Sequence, residues 1–456
     1  MDISATYCFD HLLAADGWLS PGCVTVRADG TILAVDRSTG TAATDLPGFA
    51  LPGMPNLHSH TFQRALAGFA EPLSGRNRDF WSWRETMYDL AGRLDPDDVE
   101  AIAAQSFVEM LRGGFTSVAE FHYLHNQPDG TRYANPGELG ERILAAARST
   151  GIGLTLLPAL YLHGGIGRPL EPGQRRFGSG SVAEFLALFV DLRESARAVG
   201  AQIGVAPHSI RAVAEDELRA LLEGLDTLAP GAPVHIHVAE ETGEVDESTG
   251  AYGQRPAAFL LDRFGLDDRW TLIHCTHCEP GELAGIAAAG ATAGLCPLSE
   301  AHLADGVFPL PTYEQHGGRW GVGTDANTSI SPALELQVLE YGQRLVVGRR
   351  AVHQAGAGHV GELLYGSALA GGAKALAQPI GALAPGRRAD LLHFAPDAPG
   401  LEGHGPDTFL DAWLVRGGAS SPTAVMVGGG WVVREGHHVH QERVRERFIR
   451  TMRRVR

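Results

Sequence analysis

From residue 48 to about residue 380 the chain alternates between short apolar runs of strand character and longer stretches with helical periodicity. The first run, 48–57, ends in His58-Ser59-His60. The others fall at 116–121, 153–160, 203–207, 234–238, 271–274, 291–295 and 320–323. Helical stretches between them include 96–113, 139–150, 181–200, 215–225 and 255–264. Eight strand–helix units in succession predict a closed, parallel (β/α)8 barrel of the TIM type. Such a barrel takes about 250 residues, and the chain has 456, which leaves room for an accessory unit. Strand-like runs at 5–9 and 24–35, the latter turned at Asp29-Gly30, match others at 389–394 and 423–433. The two chain ends are therefore expected to meet in a small β-sandwich formed by 1–50 with 381–442, beside a barrel over 51–380. Residues 443–456 form a basic tail of helical composition, expected on the surface.

Barrels of this kind gather their chemistry at the C-terminal ends of the strands. Those ends carry His58 and His60, Glu120 to Tyr123, His208, His235 and His237, His274, and Asp325. Any one of these alone is an ordinary polar residue; histidine or carboxylate at six of eight ends points to a metal site. In extended backbone alternate side chains share a face, so His58 and His60 point the same way. Converging neutral imidazoles suit a divalent cation such as zinc. Three histidines and an aspartate suffice for one metal with a position left for water. A binuclear centre bridged by a modified lysine is excluded, because Lys374 is the only lysine and lies past the eighth strand.

Roles follow from the chemistry of such a site. A metal lowers the pKa of bound water toward neutrality. Asp325 can ligate the metal and accept a hydrogen bond from that water. Glu240, three residues past His237, can carry a proton from the attacking water to a leaving nitrogen; a plain loop carboxylate is the alternative. His274 can steady the nucleophile or polarise the electrophile.

A net charge of −16 opposes binding to nucleic acid or anionic membranes through a general positive field. It leaves room for an anionic small substrate gripped by a few arginines. There is no secretory leader pattern and no long apolar span. Five cysteines are too few for a disulfide scaffold, so the expectation is a reduced, cytoplasmic protein. Cys275 and Cys278 have no second pair to complete a zinc site and read as packing around the sixth strand.

With His-x-His on the first strand, histidines ending the fifth and sixth and aspartate ending the eighth, the chain resembles the amidohydrolase superfamily. The stretch Ile380-Gly-Ala-Leu-Ala-Pro-Gly-Arg-Arg-Ala-Asp-Leu391 looks like that superfamily's return to its β-domain. Within it the chain is most similar to the formimidoylglutamate deiminases of histidine degradation. That likeness rests on His58-Ser-His-Thr-Phe-Gln-Arg-Ala65, Phe80-Trp-Ser-Trp-Arg-Glu85, Thr116-Ser-Val-Ala-Glu-Phe-His-Tyr123 and His235-Ile-His-Val-Ala-Glu240. It continues in Gly294-Leu-Cys-Pro297 and Ser329-Ile-Ser-Pro332.

The resemblance implies one zinc ion per subunit on His58, His60, His237 and Asp325, with Glu240 and His274 as the catalytic pair. It implies substrate contacts from Gln63, Tyr123, His208 and Arg211, and from an Arg84 reaching across a homodimer interface. The expected reaction is deimination of N-formimidoyl-L-glutamate to N-formyl-L-glutamate and ammonia. Two arginines suit a dianionic substrate, since the guanidinium fork matches a carboxylate. A deaminase of purine, pyrimidine or triazine rings is the nearest alternative, and a catalytically silent metal-binding protein a further one. The chain departs from the family pattern at Ala326-Asn327, where Ser-His is expected; this removes or alters a polar group behind Asp325.

Overall fold

The computed structural model describes residues 3–37, 43–71, 80–350, 352–353 and 358–456. Its centre is a run of parallel strands in chain order: Met54–Ser59, Phe115–His122, Gly153–Leu160, the split pair Gln202–Ile203 and Ala206–Pro207, Val234–Val238, Trp270–His274, Thr292–Leu295 and Arg319–Val322. A parallel bridge between Val205 and Val234 joins the fourth strand to the fifth, and another between Ser59 and Asp325 joins the first to the end of the eighth. These strands are buried along their whole length apart from Gln202, Ile203 and Arg319, because helices cover them from outside. The fourth strand, expected as one run, is broken at Gly204, where a Cβ would stand 2.3 Å from the Pro233 carbonyl oxygen.

The covering helices carry legible boundaries. Pro96–Gly113 begins at Asp95, which shares a reciprocal capping box with Asp98, and stops at Gly114 in the left-handed conformation. The C-terminal helix Gln441–Val455 lies on the surface with one face turned inward. It buries Val444, Met452 and Val455, and Arg447 pairs with Glu100 at 2.7 Å on the Pro96–Gly113 helix.

Both chain ends meet in one seven-stranded sheet. There Leu391–Phe394 pairs antiparallel with Phe49–Pro52 and with Ala424–Val427. Ile3–Phe9, Gly22–Arg27, Ile32–Asp36 and Thr44–Asp45 make a second sheet of four strands. Phe9, Val24, Ile32, Ala50, Leu391 and Met426 from the two sheets share an apolar cluster separate from the main core. The apolar run 48–57, read as a single strand, is two. Phe49–Pro52 belongs to this end sheet and Met54–Ser59 to the central one.

One expectation fails here. Cys8 and Cys23 face each other across an antiparallel pair, with Cα atoms 4.1 Å apart, and are joined in a disulfide. Cross-strand register brings the two thiols together, a proximity that cysteine count alone does not reveal. Cys275, Cys278 and Cys296 are free and buried. Among the described residues no helix is long and apolar enough to cross a membrane.

Candidate active site

The site is built where the first and eighth strands touch. The Asp325 N–H donates to the His58 carbonyl at 3.0 Å, and the His60 N–H to the Asp325 carbonyl at 2.9 Å. Gly323 permits that approach: a Cβ there would stand 2.7 Å from the His58 carbonyl oxygen. Asp325 itself is held at a φ of 45°, a conformation that side-chain-bearing residues rarely adopt and that surrounding contacts must impose. With the backbones so fixed, Asp325 Oδ1 lies 3.3 Å from His58 Nε2 and 3.4 Å from His60 Nε2. His60 Nε2 is also 3.3 Å from His237 Nε2.

The chemistry of this nest fits a cation. His60 Nδ1 lies 2.8 Å from the Phe121 carbonyl oxygen, and His237 Nδ1 2.8 Å from that of His208. A carbonyl only accepts, so each Nδ1 carries the proton and each Nε2 turns a lone pair inward. Lone pairs and a carboxylate oxygen crowded within 3.4 Å repel unless a positive ion stands among them. Among the described residues, both ring nitrogens of the fully buried His58 lack a hydrogen-bond partner. Burial pushes His58 down to about 3 and lowers His60 and His237 as well, so all three are neutral donors. Burial opposes ionisation of Asp325, but His58 and His60 hold it below the usual carboxylate range. The nest thus offers neutral nitrogens and one anionic oxygen, the donor set of a borderline divalent metal.

Beside it stands Glu240, just past the fifth strand. Its N–H donates to Glu244 Oε2 at 3.1 Å. Arg211 donates through Nη2 to Glu240 Oε2 at 3.3 Å and lies 4.0 Å from Glu244. His274 Nε2 lies 3.6 Å from Glu240 Oε1. Burial lowers the His274 value, but Glu240, Glu300 and Asp325 outweigh it and raise the ring to about 10. A carboxylate in this position can take a proton from one side of the nest and release it on the other.

Gln63, Arg84, Tyr123, His208, Arg211, Glu240 and Asp325 line one cavity with His60 and His237, whereas His58 and His274 stand behind its wall. Gln63 Nε2 donates to the Tyr123 hydroxyl at 2.7 Å. His208 Nδ1 is 3.2 Å from Ser209 Oγ. Arg84 borders the cavity of its own chain, 4.0 Å from Glu171, with its guanidinium 5.4 Å from the centre of the Tyr88 ring. Trp83 lines the cavity too; the side chain of Trp81 lies outside the described residues. His235 faces elsewhere and bonds the Ala375 carbonyl at 2.9 Å. Lys374 pairs with Asp268, in the turn that leads into the sixth strand.

Sequence reasoning overlooked two groups, Glu244 and Glu300. Glu244 is buried and ties down Glu240 and Arg211. Glu300 approaches His274 from the side opposite Glu240; its signal was the Cys-Pro-x-x-x run leaving the seventh strand. Asn327 alters the family's polar group and does not remove it. Its Nδ2 donates to Ser59 Oγ at 3.0 Å and to the Asp325 carbonyl at 2.9 Å, and its Oδ1 accepts from Thr324 at 2.7 Å.

A parallel α/β framework, a histidine–aspartate nest at its strand ends and a buried glutamate beside the nest together define a hydrolase of the metal-site class. Residues 49–432 match the amidohydrolase family, and the chain belongs to that family. It is 46% identical to the formimidoylglutamate deiminase of Pseudomonas aeruginosa over 448 residues, covering 97% of this chain and 98% of that one. An 8-oxoguanine deaminase of the same organism is 30% identical over 398 residues, covering 85% and 82%. In structure the chain is similar to an amidohydrolase from Brucella melitensis, with a TM-score of 0.93, 38% identity and coverage of 99% and 100%. A zinc-bound adenosine deaminase from Xanthomonas campestris shares the fold at a TM-score of 0.82 and 21% identity, covering 99% and 98%.

Proposed function

We propose that this chain hydrolyses N-formimidoyl-L-glutamate to N-formyl-L-glutamate and ammonia, as a step of histidine degradation. The observation that carries this reading is end-to-end likeness to a deiminase of that name, together with two arginines, Arg84 and Arg211, on one cavity. His58, His60, His237 and Asp325 would hold one divalent metal per chain, with zinc first among candidates for this nitrogen–oxygen donor set. Bound there, the metal supplies acidity to a water molecule. The protein's own groups do the rest. Glu240 takes one proton as the water oxygen bonds to the formimidoyl carbon and delivers it to the departing nitrogen, and the proton left on that oxygen follows to the same nitrogen as the carbon–nitrogen bond breaks. Asp325 orients the nucleophile, and His274 polarises the electrophile from behind Glu240. Ammonia leaves, and the carbon retains the oxygen as a formyl group. Arg211 and Arg84 hold the two carboxylates while Gln63, Tyr123 and His208 fix the chain between them.

The same reading takes the eight parallel strands as a closed (β/α)8 barrel over 51–380, which the two joining bridges support. Residues 1–50 and 381–442 would form a β-sandwich beside it, and 443–456 a helical tail. The partners are a dianionic small molecule and a second copy of the chain in a homodimer, with no nucleic acid and no membrane. The resemblance gives Arg84 a role across the homodimer interface, and within its own chain Arg84 also borders the cavity. A cytoplasmic location completes the picture; the Cys8–Cys23 disulfide is the one feature that runs against it.

The test is turnover of N-formimidoyl-L-glutamate, with ammonia and N-formyl-L-glutamate measured together, beside a panel of purine, pyrimidine and triazine amidines. Equal release of both products from the acyclic amidine is the expected outcome. Turnover confined to a ring substrate would reassign the cavity.

A further inference from the structure

We infer that Glu300 is a positioning residue that fixes the orientation of the His274 ring. His274 leaves the sixth strand at a φ of 70°, so its backbone alone does not favour the observed conformation. Its ring is buried between two carboxylates, one just past the fifth strand and one in the helix that follows the seventh. Glu240 Oε1 lies 3.6 Å from Nε2, and Glu300 Oε1 lies 3.4 Å from Nδ1. The two glutamates differ in their anchorage. Glu240 lines the cavity and is shared with Arg211. Glu300 is 3% exposed and does not line the cavity that Glu240 lines.

Glu300 is also held from behind. It sits in the first turn of the helix Pro297–Leu303, and the Cys296 N–H donates to its Oε1 at 2.9 Å. The Glu300 N–H donates in return to the Cys296 carbonyl at 2.9 Å. That helix is itself clamped to the eighth strand's end, where Ser299 Oγ accepts from the Ala326 N–H at 3.2 Å. The carboxylate is therefore preset before any ligand arrives. An acceptor at this point keeps a proton on Nδ1 and turns Nε2 toward Glu240 and the reacting atoms. A histidine without that partner could rotate or present the wrong nitrogen.

This rests on the reading of His274 as a catalytic group. Groups that orient a working histidine typically cost ten- to a hundredfold on removal. Glu300→Gln keeps size and an acceptor oxygen but loses charge, and Glu300→Leu removes the acceptor. We expect kcat to fall about tenfold in the first and about a hundredfold in the second, with KM within about twofold and bound metal unchanged. In a His274→Asn background, either Glu300 change should cost nothing more, because the ring it positions is gone. Full additivity in the double variants would overturn the inference, as would loss of metal in Glu300→Gln. Unchanged kcat in both single variants of an active enzyme would also sink it. An inactive wild type would instead strike at the proposed function itself.

Discussion

Two regions of this molecule do opposite things with the histidine side chain. At the strand ends, His58, His60 and His237 are pressed together and driven neutral by burial, His58 to about 3. Among the outer helices, His353 stands between Glu314 at 2.8 Å and Glu340 at 2.7 Å. Burial lowers His353 too, yet those two glutamates raise it to about 9. Burial alone thus does not decide the state of an imidazole. Where a carbonyl accepts from Nδ1–H, as at His60 and His237, and other lone pairs face Nε2, the ring is a ligand in waiting. Where each nitrogen meets its own carboxylate, the ring is a cation that staples two helices.

The sharpest break in that comparison is to remove a donor from the nest. His58→Ala or Asp325→Ala should lose metal and turnover together, from about one metal per chain to almost none. Elemental analysis beside the assay checks this, and two metals per wild-type chain would overturn the mononuclear reading. Glu240→Gln should keep its metal and lose about 10²–10⁴-fold in kcat, because glutamine fills the space but carries no proton. Near-normal turnover would pass the shuttle to another group.

Next in size comes the wall of the cavity. Arg211→Ala should cost on the order of ten- to a few hundredfold in kcat/KM, and Arg211→Lys should recover only part of it. An analogue lacking one carboxylate should harm the wild type far more than the variant. Equal penalties would move that contact elsewhere. For Arg84, co-expressed Arg84→Ala and Glu240→Gln chains should regain activity in verified mixed dimers, and no recovery would confine Arg84 to the cavity it borders in its own chain. Recovered activity would place Arg84 across the interface.

The smallest effect belongs to the staple. The folded value of His353, about 9, lies above its ordinary 6.5, so its stabilisation is complete below about 6.5 and is lost as pH rises through 9. His353→Gln should lower Tm by about 1–3 °C at pH 6, with kcat unaffected, and the deficit should fade by pH 10. A deficit that persists at pH 10 would mean the contact works by packing.

Much of the fold was legible because periodicity and caps are local. The third and fifth strands lie where their apolar runs placed them, and Asp95-Pro96 and Gly114 bound their helix as written. His58 and His60 share a face because period two demands it. The same rule misled at 48–57, where a turn at Gly53 sends one apolar run into two sheets. A local pattern does not reveal which sheet a strand joins.

What the sequence determined by itself was the alternation, the donor types at the strand ends and the presence of paired arginines. These are properties of nearest neighbours and residue inventory. Only the tertiary structure decided which donors meet. His237 reaches His60 across 177 positions of chain, while His235, two residues away, turns to Ala375 instead. Glu300, the Cys8–Cys23 bond and the hydrogen bonds of Asn327 were likewise settled in three dimensions. Each depends on register between segments far apart in sequence, and register follows from how the whole core packs.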